Sequence, residues 1–309
     1  MKQLDFTEQT KSRFGKYDDI LDMADLSEST LKRLRSNYPK IDFPADNVEW
    51  IKTLDELSDR IAFITFSKEN WDPKPLHEFL LDTYAKELYK GERFYKEPTV
   101  GTEGQSAFFI SNDWLITAKH GFQDTVLEET QLSVLRGFQR SDKGETKFKQ
   151  YDIERVVHVN DKSSSTPDIS LVKIKGGANS LEDFRFFGRR QDYQEDVGLF
   201  TICHPFGMLK KFIPGGMIQK LRTDHFYCDL DLYTGSSGAP VFSFPSGRLI
   251  GVVSGGAPDF QKIDGAHKWI LKWIDSQTAA RGFDSKTPYG QKIQIVTQDD
   301  MRSWKKILN

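Results

Sequence analysis

The chain after Gly91 has a rhythm that strongly constrains its fold. Short runs rich in β-branched and aromatic residues, among them SAFFI, WLITA, ISLVKI and RLIGVVSG, follow one another with turn residues between them. Strands of this length and spacing are typical of an all-β barrel or sandwich. KIQIV predicts a last strand and DDMRSWKKIL a closing helix, whereas residues 257–290 fit less well and suggest an insertion with a helix at AHKWILKWID.

Residues 1–95 have a helical pattern instead. Ser27 to Thr30 offer N-cap side chains before LKRLRSNY, which stops at Pro39. Thr53 and Glu56 have the spacing of a capping box ahead of LSDRIAFITF, and LHEFLLDTYAKELYKG is amphipathic at helical intervals. We therefore expect a small helical N-terminal domain at 1–95, with a regulatory or partner-docking role, and a second domain at 96–309.

Charge, apolar runs and cysteine content bear on the partners and the location to expect. The 309 residues include 43 Lys and Arg against 45 Asp and Glu, so nothing in the balance favours nucleic acid or a membrane surface. No apolar run is long enough to span a membrane, and the N-terminus lacks the apolar stretch of a secretory signal. Because the only cysteines are Cys203 and Cys228, we expect no disulfide framework and a cytoplasmic location.

Two local patterns have both a functional and a plainer interpretation. ILDMADLSESTLKRLRSNY resembles a helix-turn-helix, but Asp25 replaces the usual turn glycine, and residues 1–50 carry 8 basic against 10 acidic side chains. The pairs Cys203-His204 and His225/Cys228 suggest zinc ligands, yet neighbouring strand residues face opposite ways. We expect neither DNA binding nor a metal site.

The segment TGSSGAP at residues 234–240 has the features of a nucleophile loop. A serine hydroxyl needs a base within hydrogen-bond reach, a third group that orients the base, and backbone N–H donors for the oxyanion. Gly235 and Gly238 permit a tight turn with Ser237 at its apex. The pattern G-x-S-G differs from the G-x-S-x-G elbow of the α/β-hydrolases.

Chain order separates the possible serine-hydrolase arrangements. An order of Ser, acid and His would require a histidine after Ser237, and only His267 follows it, with its nearest acids too close for separate loops. The order His120, Asp168, Ser237 leaves gaps of 48 and 69 residues. These gaps are long enough to put His and Asp in one barrel and Ser in the next.

Four segments, in order, resemble the motifs of trypsin-like serine peptidases. SAFFISNDWLITAKHGF is similar to the histidine region, PDISLVKI to the strand that carries the acid, GSSGAPVFS to the nucleophile loop, and GVVSGG to the strand that pairs with substrate. The resemblance covers roughly residues 98–256. It implies a mainly β fold of two six-stranded antiparallel β-barrels (chymotrypsin-like), here preceded by the helical domain.

The resemblance also implies roles for individual residues. His120 matches the general base, Asp168 the residue that orients it, and Ser237 the nucleophile, with the Gly235 and Ser237 amides as oxyanion hole. Ser254 matches a serine near the acid, and Ser254, Gly255 and Gly256 are the implied substrate-binding residues of the strand that pairs with substrate. The implied activity is that of a serine endopeptidase that cleaves proteins or peptides through an acyl-enzyme without a cofactor.

Three features of the sequence refine this expectation. CDLDLYTGSSGAP and HPFGMLKKF are closer to the bacterial glutamyl-endopeptidase branch. Ser236 replaces the aspartate that pairs with a newly cut N-terminus in digestive enzymes, so we expect no buried-amine switch. Asp231 lies six residues before Ser237, at the offset of the trypsin pocket acid, and predicts a preference for Lys or Arg at P1 unless it serves loop structure or faces solvent.

Two other functions remain open from the sequence. A catalytically silent trypsin-like fold would use the barrels and helices as a protein-binding module. A latent enzyme would be blocked by its helical domain until a regulatory protein bound there or the chain near Gly91 was cut.

Overall fold

The computed structural model describes most of the chain. The described residues are 19–65, 73–79, 94, 96–101, 104–122, 132–140, 146–159, 167–256, 260–262, 269–271 and 290–308. Within these ranges no helix has the length and apolar character needed to cross a membrane.

The secondary structure combines a few helices with many short strands. The helices are α1 (Glu28–Asn37), α2 (Asn47–Ser58), α3 (Leu76–Phe79) and α4 (Gln298–Leu308). The first strands are β1 (Leu21–Asp22), β2 (Ile61–Thr65), β3 (Lys74–Pro75), β4 (Pro98–Thr99), β5 (Gly104–Phe109), β6 (Trp114–Thr117), β7 (Ser133–Arg140), β8 (Thr146–His158) and β9 (Ser170–Ile174). The later strands are β10 (Gly198–Cys203), β11 (Lys211–Leu221), β12 (His225–Cys228), β13 (Pro240–Ser243), β14 (Arg248–Gly255), β15 (Phe260–Lys262), β16 (Trp269–Leu271) and β17 (Gln291–Ile295).

The first barrel closes in the order β2-β5-β6-β9-β8-β7, and all neighbouring strands are antiparallel. β2 is buried along its whole length, which suits the uniformly apolar and β-branched run IAFIT. The helix predicted for this run, after a capping box at Thr53 and Glu56, is therefore wrong. Both residues lie inside α2, which begins after Asp46, whose side chain accepts the Val48 and Glu49 amides.

The second barrel contains β11, β10, β13, β14, β17 and β12, and pairing of β12 with β11 closes it. β11 was not predicted, because Pro214, Gly215 and Gly216 interrupt its apolar pattern. Gly215 adopts φ +96° against the ring of Tyr38, and a Cβ on Gly216 would collide with the Leu230 side chain. Together the two closed barrels confirm the predicted mainly β, chymotrypsin-like fold.

The N-terminal part packs directly on the barrels. α1 begins after Ser27, one of the predicted N-caps, whose Oγ accepts the Thr30 amide at 3.2 Å. β1 adds to β11 of the second barrel. Trp50 of α2 meets Phe200 of β10 edge to face with ring centroids 5.3 Å apart. One apolar core therefore joins α1, α2 and both barrels, and β2, inside the predicted helical domain 1–95, is a barrel strand.

The C-terminal region closes the fold. α4, the predicted closing helix, docks on the first barrel, where the Trp114 indole N–H donates to the Leu308 carbonyl at 3.1 Å. In the predicted insertion, residues 269–271 form β16, which pairs with β15, so the helix expected at AHKWILKWID is wrong there. The rest of that run lies outside the described residues, as does most of LHEFLLDTYAKELYKG beyond α3.

Candidate active site

The three predicted catalytic side chains form one continuous chain of hydrogen bonds. His120 Nδ1 lies 2.7 Å from Asp168 Oδ2, and His120 Nε2 lies 2.9 Å from Ser237 Oγ. The His120 backbone N–H also donates to Asp168 Oδ1 at 2.8 Å. Because two bonds join His120 to Asp168, the imidazole is fixed in both position and orientation.

The pairing of two strands brings His120 and Asp168 together. β6 and β9 are antiparallel neighbours, with Thr117 opposite Ser170. The residues that follow β6 and those that precede β9 must therefore emerge at the same edge of the first barrel. His120 begins a short 3₁₀ turn just after β6, and Asp168 lies two residues before β9.

The second barrel supplies a further partner for Asp168. Ser254 Oγ, from β14, donates to Asp168 Oδ2 at 2.7 Å. Burial opposes ionisation of Asp168, but the hydrogen bond and charge of His120 and the Ser254 hydroxyl outweigh burial and hold its pKa below the ordinary value. Asp168 is therefore a carboxylate that accepts three donors near neutral pH.

The loop between β12 and β13 carries Ser237. Gly235 and Gly238 have φ of +88° and +77°, which side chains rarely adopt, and a Cβ on Gly238 would collide with Thr117 and Ser106 of the first barrel. The Ser236 amide donates to the Tyr233 carbonyl at 2.9 Å, and the Gly238 amide to Val253 at 2.8 Å. Neither the Gly235 nor the Ser237 amide donates to any residue that the structure describes.

A cavity of about 140 Å³ lies beside Ser237. The other residues that line it are Leu232, Tyr233, Thr234, Val253, Gly255, Gly256 and Gln291. The predicted substrate-binding residues Gly255 and Gly256 are thus at the cavity, whereas Asp231 and Ser254, which donates to Asp168, do not line it. Asp231 Oδ2 accepts the Tyr233 hydroxyl at 3.0 Å, as expected for a residue that serves loop structure, so its position gives no basis for a basic P1 preference.

Gln291 is the cavity residue that the sequence analysis missed. Its side chain is buried, its Nε2 donates to the Leu232 carbonyl at 3.2 Å, and its Oε1 lies against Gly256. Only the register of β17, in which Lys292 faces Gly255 of β14, turns Gln291 toward the cavity. No local motif around Gln291 indicates this register.

Three of the four residues considered for zinc are parts of the core, and the fourth, His225, lies 2.8 Å from Asp224 Oδ1. Cys203, His204 and Cys228 are fully buried, and His204 Nδ1 lies 2.9 Å from the Met208 carbonyl. Burial raises the pKa of the Cys203 thiol to about 12 and lowers that of His204 to about 3. Among the described residues, no group of three or more His, Cys, Asp or Glu side chains is arranged to hold a metal ion.

The part of the chain that carries the site is similar to a known family. Residues 105–252, which include His120, Asp168 and Ser237, match the family model of the trypsin-like peptidase domain. The chain is also similar to the crystal structure of Deg5, with 15% identity and a TM-score of 0.41 over 69% of this chain and 87% of that one. No curated protein sequence matches. The family match and the two-barrel fold support a trypsin-like serine peptidase.

Proposed function

We propose that the chain is a serine endopeptidase, with Ser237 as nucleophile, His120 as general base and Asp168 as the residue that orients the base. The observation that carries this proposal is the unbroken chain of hydrogen bonds from Asp168 through His120 to Ser237, with steps of 2.7 and 2.9 Å. These distances lie within the range required for proton transfer between nucleophile and base. The family match over residues 105–252 supports the same class of reaction.

In the proposed mechanism, Ser237 Oγ attacks the carbonyl carbon of the scissile peptide bond. Its proton passes to His120 Nε2, while Nδ1–H stays hydrogen-bonded to Asp168, whose negative charge stabilises the imidazolium. His120 then gives the proton to the leaving amine, and the acyl group remains on Ser237. A water molecule, deprotonated by His120, hydrolyses this ester and restores the free serine.

The tetrahedral intermediate needs hydrogen-bond donors for its oxyanion. The Gly235 and Ser237 amides are the proposed donors, since each is without an acceptor among the described residues. Donors that are already oriented need no reorganisation when charge develops, which makes such sites effective. The mechanism requires no metal or organic cofactor, and a protein or peptide is the proposed substrate.

The cavity beside Ser237 is the proposed P1 pocket. Its volume of about 140 Å³ and the uncharged Gln291 at its wall favour a small uncharged P1 side chain. A charged P1 group would have to leave water without a partner of opposite charge among the described lining residues, which is unfavourable. This proposal differs from the basic preference predicted from Asp231, and cleavage of a mixed peptide library distinguishes the two.

A fluorophosphonate probe tests the proposed function directly, because it labels only activated serines. We expect one label on the wild type and none on Ser237→Ala. Ser246→Ala is the matched control, since it removes a serine hydroxyl that is hydrogen-bonded to Ser243 and Asp192, away from the site, and should label like the wild type. An unlabelled wild type, under conditions that label known serine peptidases, would contradict the proposal and favour the silent binding module.

A further inference from the structure

The turn between β10 and β11 has an unusual backbone. Phe206, in the 3₁₀ turn Pro205–Gly207, has φ 52° and ψ 24°, a left-handed conformation that favours glycine. The residue is 1% exposed, so its backbone groups need protein partners. A strained conformation of this kind persists only where the surrounding contacts enforce it.

On one side, this turn holds the loop of residues 233–238, here called the oxyanion loop. The Phe206 amide donates to the Thr234 carbonyl at 2.5 Å, and its ring stacks on Tyr233 with centroids 5.5 Å apart. In a trans peptide the C=O and the following N–H point in opposite directions. By fixing the Thr234 carbonyl, Phe206 therefore also fixes the direction of the Gly235 N–H, a proposed oxyanion donor.

On the other side, the turn is held by residues 97–101. The hydroxyl of Thr99, which is fully buried, donates to the Phe206 carbonyl at 2.5 Å and accepts the Gly101 amide at 3.2 Å. The Val100 amide donates to the Gly207 carbonyl at 3.1 Å. Phe206 is thus bound through its N–H to the oxyanion loop and through its C=O to Thr99.

A buried ion pair anchors residues 97–101 to the second barrel. Lys211, at the start of β11, is 3% exposed, and its Nζ lies 2.5 Å from Glu97 and 2.5 Å from Asp22 of β1. Glu97 is only two residues before Thr99. The anchor therefore fixes the N-terminal segment against the strand that follows the turn.

We propose that Thr99 is a positioning residue for the Gly235 amide, acting through the backbone of Phe206. The inference rests on the proposed function and deepens it by naming what orients the oxyanion hole. Ser236, next to the nucleophile, is fully buried with two neutral neighbours, the Tyr233 amide at 3.4 Å and Cys203 Sγ at 3.5 Å. Since neither neighbour of Ser236 carries a charge, we infer that residues 97–101, which precede β5, provide the support that orients this loop.

The test compares Thr99→Val, which keeps the shape but removes the hydroxyl, with Thr99→Ser, which keeps the hydroxyl. We expect Thr99→Val to lower kcat about 10- to 100-fold with KM nearly unchanged, because a displaced donor weakens transition-state binding only. Affinity for a peptide aldehyde inhibitor, which forms the tetrahedral adduct, should fall by a similar factor. Thr99→Ser should restore most of both.

Thr201→Val is the matched control. Thr201 is equally buried, and its hydroxyl donates at 2.6 Å to the Pro240 carbonyl in a strand rather than in the oxyanion loop. We expect it to lower the melting temperature without lowering kcat. Should Thr99→Val be insoluble, Thr99→Ala takes its place, with the same expectation.

Two results would overturn the inference while leaving the proposed function intact. The first is a Thr99→Val enzyme with wild-type kcat and inhibitor affinity. The second is a loss of kcat and inhibitor affinity in Thr99→Val that Thr99→Ser and Thr201→Val show to the same extent. A wild type that neither turns over peptides nor reacts with the fluorophosphonate probe would refute the proposed function, and the inference with it.

Discussion

Two regions that meet at the candidate site are held in different ways. The His120–Asp168 pair lies at one edge of the first barrel, where the register of two neighbouring strands brings the residues together. The oxyanion loop, residues 233–238, is held from three separate places: Ser106 of β5, the turn Pro205–Gly207, and Val253 of β14. The pair therefore depends mainly on the register of two neighbouring strands, with one further bond from Ser254, whereas the loop depends on three separate contacts that substitutions far away in sequence can break.

The largest expected effect comes from a substitution in the His120–Asp168 pair. Asp168→Asn keeps the shape of the side chain but donates where Asp168 accepts, so His120 would be held in the wrong tautomer. We expect kcat/KM to fall about 10⁴-fold, as in other triads that lose this carboxylate. Steady-state hydrolysis of a peptide library measures it, with Asp113→Asn, a carboxylate outside the site, expected to be within about twofold of the wild type. A loss of less than tenfold would contradict the role of Asp168.

The same substitution has a pH signature. Because the pKa of Asp168 is lowered in the folded chain, its ionised form stabilises the fold above the ordinary pKa of a carboxyl. That contribution is lost as pH falls through the lowered pKa. We expect the difference in melting temperature between wild type and Asp168→Asn to shrink in acid; a difference that stays constant would contradict this.

The second largest effect is expected from a substitution that removes a contact of the oxyanion loop. Ser106 N and Oγ both donate to the Gly235 carbonyl, at 2.9 and 2.7 Å, and Ser106 Oγ accepts the His204 amide at 3.0 Å. Ser106→Ala leaves the buried His204 amide without this acceptor, which costs about 1–3 kcal/mol of stability. Because it also loosens the oxyanion loop, we expect kcat to fall about 10- to 100-fold.

A second buried serine separates stability from positioning. Ser133 of β7 is also fully buried, and its Oγ accepts the Gln150 side-chain amide at 3.0 Å. Ser133→Ala should lower the free energy of unfolding by a similar amount, measured by urea denaturation, without lowering kcat. Equal loss of kcat in both variants would show that Ser106 acts through stability alone.

The third effect concerns the cavity beside Ser237 and its choice of P1 side chain. Gln291→Ala removes the side chain at the cavity wall, so larger P1 residues should fit. We expect the ratio of kcat/KM for Leu over Ala at P1 to rise about tenfold, the size of effect that one or two methylene groups produce in a pocket. Gln219→Ala on β11 does not line the cavity and should leave the ratio unchanged. An unaltered ratio in Gln291→Ala would exclude Gln291 from P1 selection.

The same contrast explains what the sequence predicts. The surroundings of His120, Asp168 and Ser237 lie in contiguous runs, in which strand pattern and turn glycines are read locally. β11 was missed because its glycines are required by close contacts with Tyr38 and Leu230, which are distant in sequence. Nothing in EPTVG indicates that Thr99 contacts a carbonyl 107 residues later. Local chemistry is readable from the chain, whereas support that depends on tertiary contact is not.

The smallest effect concerns two adjacent buried lysines at the start of β11, Lys210 and Lys211. Lys211 has two carboxylate partners, but the described partners of Lys210 Nζ are the carbonyl and hydroxyl of Ser58, at 2.7 and 2.9 Å. Burial, with a smaller contribution from Arg136, lowers the pKa of Lys210 to about 7, although the charges of Asp59 and Asp55 oppose this. The folded chain thus binds fewer protons than the unfolded chain above pH 7.

Stability should therefore rise with pH in this range, because it increases wherever the unfolded state binds more protons. We expect the free energy of unfolding of the wild type, relative to Lys210→Met, to increase by at most about 1.4 kcal/mol per pH unit between pH 7 and 9. Lys220→Met, which removes a half-exposed lysine paired with Glu195, should leave this slope unchanged. A flat difference for Lys210→Met would mean that Lys210 remains charged in the folded chain.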